Sequence, residues 1–231
     1  MKSFQKKIDL TQTHSVSREF CQKMLTFSHR NLMKVISFQW TDEWCLLELE
    51  FCEFYSLREI LDKRDVDSEF VNLMINDLLS GLAYLHSRGF VHGDLKLSNV
   101  LLAKEHDQLI VKLGDLDTAR PIPSKFSLQG FYTPEIMAPE CYLKGIIDER
   151  VDVWSFGVML FRIFTGDYPF GHRDTFTFEQ IRENIKNYSF QTFKVQDIPA
   201  PYSTLIEACL EPDLKNRPSA LELIEWLDFP S

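Results

Sequence analysis

The segment SEFVNLMINDLLSGLAYLHSRG, residues 68–89, constrains the fold more than any other. Its apolar residues recur at helical spacing along its whole length, and Gly89 supplies a C-terminal stop. An amphipathic helix this long must bury its apolar stripe against other elements. The chain changes character around residue 52. Before it, SFQKKIDL, LMKVISFQW and EWCLLELEF are short and rich in branched and aromatic residues, which predicts strands. Between the first two, SVSREFCQKMLTF (15–27) has Phe20, Met24 and Phe27 at helical spacing, with Ser15 or Ser17 as its cap. After residue 52 the pattern is helical in SLREILDKRD, VDVWSFGVMLFRIFTG, FEQIRENIK, YSTLIEACLE and SALELIEWL. NVLLA and LIVKLGDL predict a hairpin around the polar turn KEHDQ. There is no internal repeat and no low-complexity tract. The pattern predicts an α+β chain with a small strand-rich part, 1–51, and a larger helical part, 52–231, as two lobes joined near Glu50–Glu53.

Composition narrows the class. The 231 residues are 45% hydrophobic and 13% aromatic, a globular balance with room for one large domain or two lobes sharing a cleft. A net charge of -9 argues against nucleic acid or an anionic membrane as partner. The five cysteines, Cys21, Cys45, Cys52, Cys141 and Cys209, are odd in number and lack CxxC spacing, which predicts buried or half-buried free thiols in a reducing compartment. MKSFQKKIDL has no apolar core of a signal peptide. VWSFGVMLFRIF (153–164) is broken by Arg162 and too short to span a bilayer. The expected compartment is the cytoplasm or the nucleus. Trp154, Phe156 and Trp226 read as core rather than a cofactor box.

The chemistry concentrates in VHGDLKLSNVLL, residues 91–102, a loop held between the long helix and the hairpin. A carboxylate at Asp94 could accept a hydroxyl proton or orient a nucleophile. The ammonium of Lys96 could stabilise a transferring anion. The amide oxygen of Asn99 suits Mg²⁺, and a further carboxylate, Asp115, follows the apolar strand VKLG. Base, cation and metal ligands together are the inventory of phosphoryl transfer.

These residues carry a resemblance. HGDLKLSN resembles the catalytic loop of eukaryotic-type protein kinases, H-R-D-L-K-x-x-N, and DLD at 115–117 is similar to the metal-binding D-F-G. TPEIMAPE (133–140) resembles the end of the kinase activation segment, DVWSFGVML (152–160) the buried central helix, NRPSA (216–220) the closing arginine motif, and ELEFCEFYSL (48–57) the last N-lobe strand and hinge. All six occur in family order, and the likeness runs from about residue 3 to 228. The resemblance implies a two-lobed protein-kinase-like fold and transfer of the γ-phosphate of Mg²⁺-ATP to serine or threonine hydroxyls of a protein substrate. It implies Asp94 as catalytic base, Lys96 steadying the γ-phosphate, Thr133 beside it as a serine/threonine mark, and Asn99 and Asp115 as magnesium ligands. It also implies Leu49 behind the nucleotide, the backbone of Glu50 and Cys52 on the adenine, a Glu140–Arg217 pair, and Asp152 holding the backbone near a packed His92.

The chain also departs from the family. FQKKIDL is similar to the strand V-A-x-K-K-I-D-L, which makes Lys6 the ATP-contacting lysine, yet no G-x-G-x-x-G occurs anywhere. Either the protein lacks the glycine loop or the sequence is incomplete, and a partner protein could complete the N-lobe. Glu19 is the candidate partner of Lys6. Counting back from HRNL (29–32), which resembles H-P-N-I, puts Phe20 at that position instead, about 100° around the helix from Glu19. Gly93 replaces an arginine that reads an activation-segment phosphate, so phosphorylation of Ser124 or Ser127 is not expected to switch the protein on. Asp117 replaces a glycine of unusual φ/ψ, where Asp tolerates the left-handed region and adds a carboxylate near the metal, and Leu116 keeps an apolar contact. These departures support the rival reading, a pseudokinase that binds nucleotide or partners without transfer.

Overall fold

A computed structural model describes residues 2–11, 16–53, 55–63, 66–125, 133–143, 146–188 and 197–227. In chain order the elements begin with β1 (Ser3–Asp9), α1 (Arg18–Met24), β2 (Val35–Trp40), β3 (Trp44–Glu50), α2 (Leu57–Leu61) and α3 (Ser68–Ser87). They continue with β4 (Phe90–Val91), β5 (Val100–Glu105), β6 (Gln108–Leu113), α4 (Pro139–Leu143), α5 (Arg150–Thr165), α6 (Phe178–Lys186), α7 (Ala200–Cys209) and α8 (Ala220–Trp226). These include the strands and helices that the periodicity predicts, with β4 and α4 in addition. The chain packs as two compact units, Met1–Leu85 with Leu97–Arg120, and His86–Lys96 with Pro121–Ser231. The first therefore includes most of α3 and the hairpin as well as the strand-rich segment.

In the first unit an antiparallel sheet has the order β1-β3-β2. Strand alternation turns Cys45, Leu47 and Leu49 of the central strand inward. The register sets Lys6 opposite Leu47. Helix α1 is shorter than predicted. It is capped by Ser17, whose hydroxyl accepts from the Phe20 N–H at 3.1 Å, and it buries Phe20, Cys21 and Met24. Ser15, the other predicted cap, lies outside the described residues. The predicted hairpin is β5–β6, closed by His106 and Asp107 at φ 48° and 67°. Positive φ at both central residues is what a two-residue hairpin turn requires. The hairpin is fixed from two sides. Asn31 donates to the Val111 carbonyl at 2.9 Å, and the Asp77 carboxylate accepts the Val111 N–H at 2.8 Å.

The second unit is organised on α5, which is buried from Val151 to Phe161. A Cβ on Gly157 would lie 2.6 Å from the Cys209 Cβ, so α5 and α7 pack at glycine-only separation. Arg217, 1% exposed, donates to both Glu140 oxygens at 2.7 and 3.1 Å and to the Arg150 and Glu211 carbonyls at 3.0 and 2.9 Å. The expected Glu140–Arg217 pair is thus a buried junction in which the guanidinium makes four hydrogen bonds. Trp154 and Phe156 are core as expected, but Trp226 is not. It is 64% exposed at the last turn of α8, which buries only Ala220 and Leu223. Cys21, Cys45, Cys141 and Cys209 are buried free thiols and Cys52 is half-buried. Among the described residues no helix is long and apolar enough to cross a membrane.

Candidate active site

The first unit holds Lys6, Asn99 and Asp115. Asn99, 6% exposed, ends a short 3-10 turn, Leu97–Asn99, and its carbonyl accepts the Gly114 N–H at 2.8 Å. That bond ties the residue before Asp115 to Asn99. Asp115 itself sits in the left-handed region at φ 61°, ψ 40°, and a 3-10 turn over Leu116–Thr118 follows. This reversal returns two carboxylates to one ammonium. Lys6 donates to Asp115 and, at 2.8 Å, to Asp117. Burial opposes the charge on Lys6, but the carboxylates of Asp117 and Asp115 outweigh it and hold the ammonium above its ordinary pKa. Burial, with the charge of Asp115 added, pushes the Asp117 carboxyl above the usual range despite Lys6. Met24, Met33, Val35, Leu47 and Leu49 line an apolar cleft against residues 115–117, with Leu116 buried at its edge.

Two expectations are corrected here. Glu19 does not reach Lys6. Its side chain is 78% exposed and pairs with Lys23 at 3.2 Å, one turn along α1, because the inward face belongs to Phe20, Cys21 and Met24. The partner that Glu19 was expected to provide is supplied by Asp117. Nor does Asp117 occupy left-handed backbone, since that conformation falls two residues earlier, at Asp115. At the end of β3, the Glu50 side chain accepts from the Lys34 N–H at 2.7 Å and from the nearly buried Lys112 at 2.9 Å. The resemblance assigns a role only to its main chain. The signal was present, since Lys112 interrupts an otherwise apolar strand, LIVKL. Burial, then the Glu50 charge, pushes the Cys52 thiol up to about 11, which leaves it a poor nucleophile.

The second unit holds Asp94, Lys96 and Thr133. Lys96 donates to one Asp94 oxygen at 2.6 Å, and Thr133 donates to the other at 2.8 Å. Lys96 is also 3.3 Å from the Thr133 hydroxyl. The loop is held from beneath by Asp152, fully buried on α5, which accepts the N–H groups of His92 and Gly93 at 2.7 and 2.8 Å. The His86 ring nitrogen Nε2 lies 2.9 Å from the same carboxylate. Burial alone would raise the Asp152 carboxyl, but these partners hold it below its ordinary value. Gly93 has φ 76°, a conformation that strains an L side chain. Ser127, one of the two serines considered for phosphorylation, lies outside the described residues.

Hard oxygen donors, the carboxylates of Asp115 and Asp117 and the amide of Asn99, are the set that fits Mg²⁺. A match to the family model of the protein kinase domain runs over residues 1–227. The chain belongs to the protein kinase domain family. This kinase domain is similar to the cell cycle serine/threonine-protein kinase CDC5/MSD2 of Saccharomyces cerevisiae, with 32% identity over 211 residues, 88% of this chain and 29% of the relative. It is similar to the serine/threonine-protein kinase plk-1 of Caenorhabditis elegans, with 30% identity over 219 residues, 93% of this chain and 31% of the relative. It is also 29% identical over 205 residues to the serine/threonine-protein kinase ULK3 of Xenopus laevis, 87% of this chain and 43% of the relative. The kinase domain therefore spans less than half the length of these relatives.

Proposed function

We propose that residues 1–231 form one kinase domain that transfers the γ-phosphoryl group of ATP to a serine or threonine hydroxyl of a protein substrate. The observation that carries this reading is the joint hold of Lys96 and Thr133 on the two oxygens of Asp94. Asp94 accepts or orients the hydroxyl proton as the oxygen bonds to the γ-phosphorus and the bond to the bridging oxygen of ADP breaks. Lys96 sets a positive charge beside that carboxylate, where charge on the transferred group develops. Lys6 has three N–H donors and uses two on Asp115 and Asp117, which leaves one for a phosphate oxygen. Asn99 and Asp115, with Asp117 alongside, would hold Mg²⁺, which when bound offsets phosphate charge. Leu49 would close the back of the adenine site, and the backbone of Glu50 and Cys52 would bond the base. The chain has no glycine-rich loop, so phosphate contacts within it fall to these side chains.

The acidic balance favours protein over nucleic acid or membrane as partner, and we place the domain in the cytoplasm or nucleus. A non-catalytic scaffold would have no use for an Asp94 held on both oxygens. The test is transfer of label from ATP with Mg²⁺ to a generic protein substrate, by the wild type and by Asp94→Asn. Transfer that the substitution abolishes supports the reading, and no transfer by the wild type overturns it.

A further inference from the structure

Arg162, which breaks the apolar run of α5, and Arg173 have no part in the site described above. Arg162 lies over the Tyr168 ring, and Arg173 directly follows His172, which stacks on the same ring. Thr133 donates to Asp94, and two residues further on Glu135 is 1% exposed. Glu135 accepts three bonds from Arg173, from its backbone N–H at 2.9 Å, Nε at 2.7 Å and Nη2 at 2.8 Å. Burial opposes the Glu135 charge, but these bonds hold the carboxyl below its usual range. Arg173 is therefore pinned by one edge of its guanidinium, although its side chain is 51% exposed. Nη1 has no hydrogen-bond partner among the described residues. Glu135 raises the Arg173 pKa most, and after Tyr168 the Asp94 carboxylate adds a smaller contribution, so the guanidinium stands in the field of the proposed base.

Arg162 is half-buried in the last turn of α5, with its Cζ 4.1 Å from the centre of the Tyr168 ring. It has no carboxylate partner among the described residues. His172 stacks on the same tyrosine at 5.0 Å. The acids nearby are Glu135, which is consumed by Arg173, Asp174, which is 3.1 Å from His172 Nδ1, and the exposed Asp167. What is left uncommitted is one whole guanidinium, lying over the Tyr168 ring, and the outer edge of a second. Stacked, preoriented guanidinium groups are receptors for carboxylate and phosphate.

Resting on the kinase reading, we propose that Arg162 and Arg173 form a subsite for an acidic residue of the substrate, a carboxylate or a phosphate close to the acceptor hydroxyl. A substrate arginine at this place would meet two like charges.

The test uses four fluorescent serine peptides that differ only in flanking residues: aspartate, phosphoserine, arginine and alanine. Binding is read by anisotropy with the wild-type chain and with Asp94→Asn, and transfer is read in parallel. The acidic peptides should bind about tenfold more tightly than the alanine peptide, to both chains. Arg162→Ala should remove that difference with the melting temperature unchanged, because it strands no buried partner as Arg173→Ala would strand Glu135. Arg162→Glu should turn the preference toward the arginine peptide. Equal binding of acidic and alanine peptides by the wild type overturns the subsite, even if transfer is robust. Discrimination in binding with no transfer sustains the subsite and overturns the kinase reading. Whichever acidic peptide binds more tightly identifies the natural group as carboxylate or phosphate.

Discussion

The two units handle charge in opposite ways. In the first, one ammonium faces two carboxylates: Lys6 is shared by Asp115 and Asp117, and the Asp117 carboxyl sits above its ordinary range. In the second, the acids at and beneath the Asp94 loop and at the Arg217 junction are matched. Asp94 has Lys96 and Thr133, Asp152 has two backbone N–H groups and His86, and Glu140 has Arg217. A surplus of negative charge is costly where nothing positive arrives and useful where a cation is to be held. A matched set holds a loop in place. On the proposed reading the first cluster is completed by a cation, and the matched acids of the second hold the loop that carries Asp94.

The sharpest break in that comparison is Asp94→Asn. Label transfer should fall by about 10²–10⁴-fold, with the melting temperature unchanged, because the amide keeps the shape and loses only the base. Next is Arg217→Ala, which leaves Glu140 buried and unpaired. Urea unfolding should show a loss of about 3–5 kcal/mol. Gly157→Ala drives a methyl group into Cys209, 2.6 Å away, and should cost about 1–3 kcal/mol in the same assay. Asp117→Asn is the counterpart in the surplus region. It removes a charge that the fold disfavours, so stability should stay within about 1 kcal/mol of wild type, and a loss as large as that of Arg217→Ala would erase the distinction between the units.

Among the acids withdrawn from solvent, acidity separates the two regions by sign. Asp152 and Glu135 are held below their ordinary values. Their contribution is complete above the ordinary carboxyl pKa of about 4 and is lost as pH falls through their folded values. Asp117 is raised, so its cost is present at neutral pH and is relieved as pH falls through its folded value. Between pH 7 and 4 the wild type should therefore gain stability relative to Asp117→Asn, and a constant difference would show that Asp117 is not raised. The smallest effect belongs to Glu19→Ala, an exposed i,i+4 pair with Lys23, which should change neither transfer nor stability beyond about 0.5 kcal/mol.

Much of this was legible in the sequence because it depends on local pattern. The elements follow period-2 and period-3.6 spacing, Ser17 marks the start of α1, Gly89 follows the end of α3 at positive φ, and motif order places Asp94, Lys96 and Thr133 in one cluster. What was not legible depends on backbone reversals and on residues far apart in the chain. The Lys6–Asp117 pair needs the left-handed turn at Asp115, which no spacing rule announces. The Glu135–Arg173 fork joins positions 38 apart and the His86–Asp152 contact positions 66 apart. Trp226 shows the reverse failure: apolar character at helical spacing does not bury a residue that the chain leaves uncovered.

Gly93 adopts φ 76° without a side chain to strain, and its N–H is already fixed on Asp152 at 2.8 Å. The main chain of the loop that carries Asp94 is therefore held by a carboxylate that arrives with the fold, Asp152 of α5, and a larger residue at position 93 would have to work against the backbone angle that this bond accompanies.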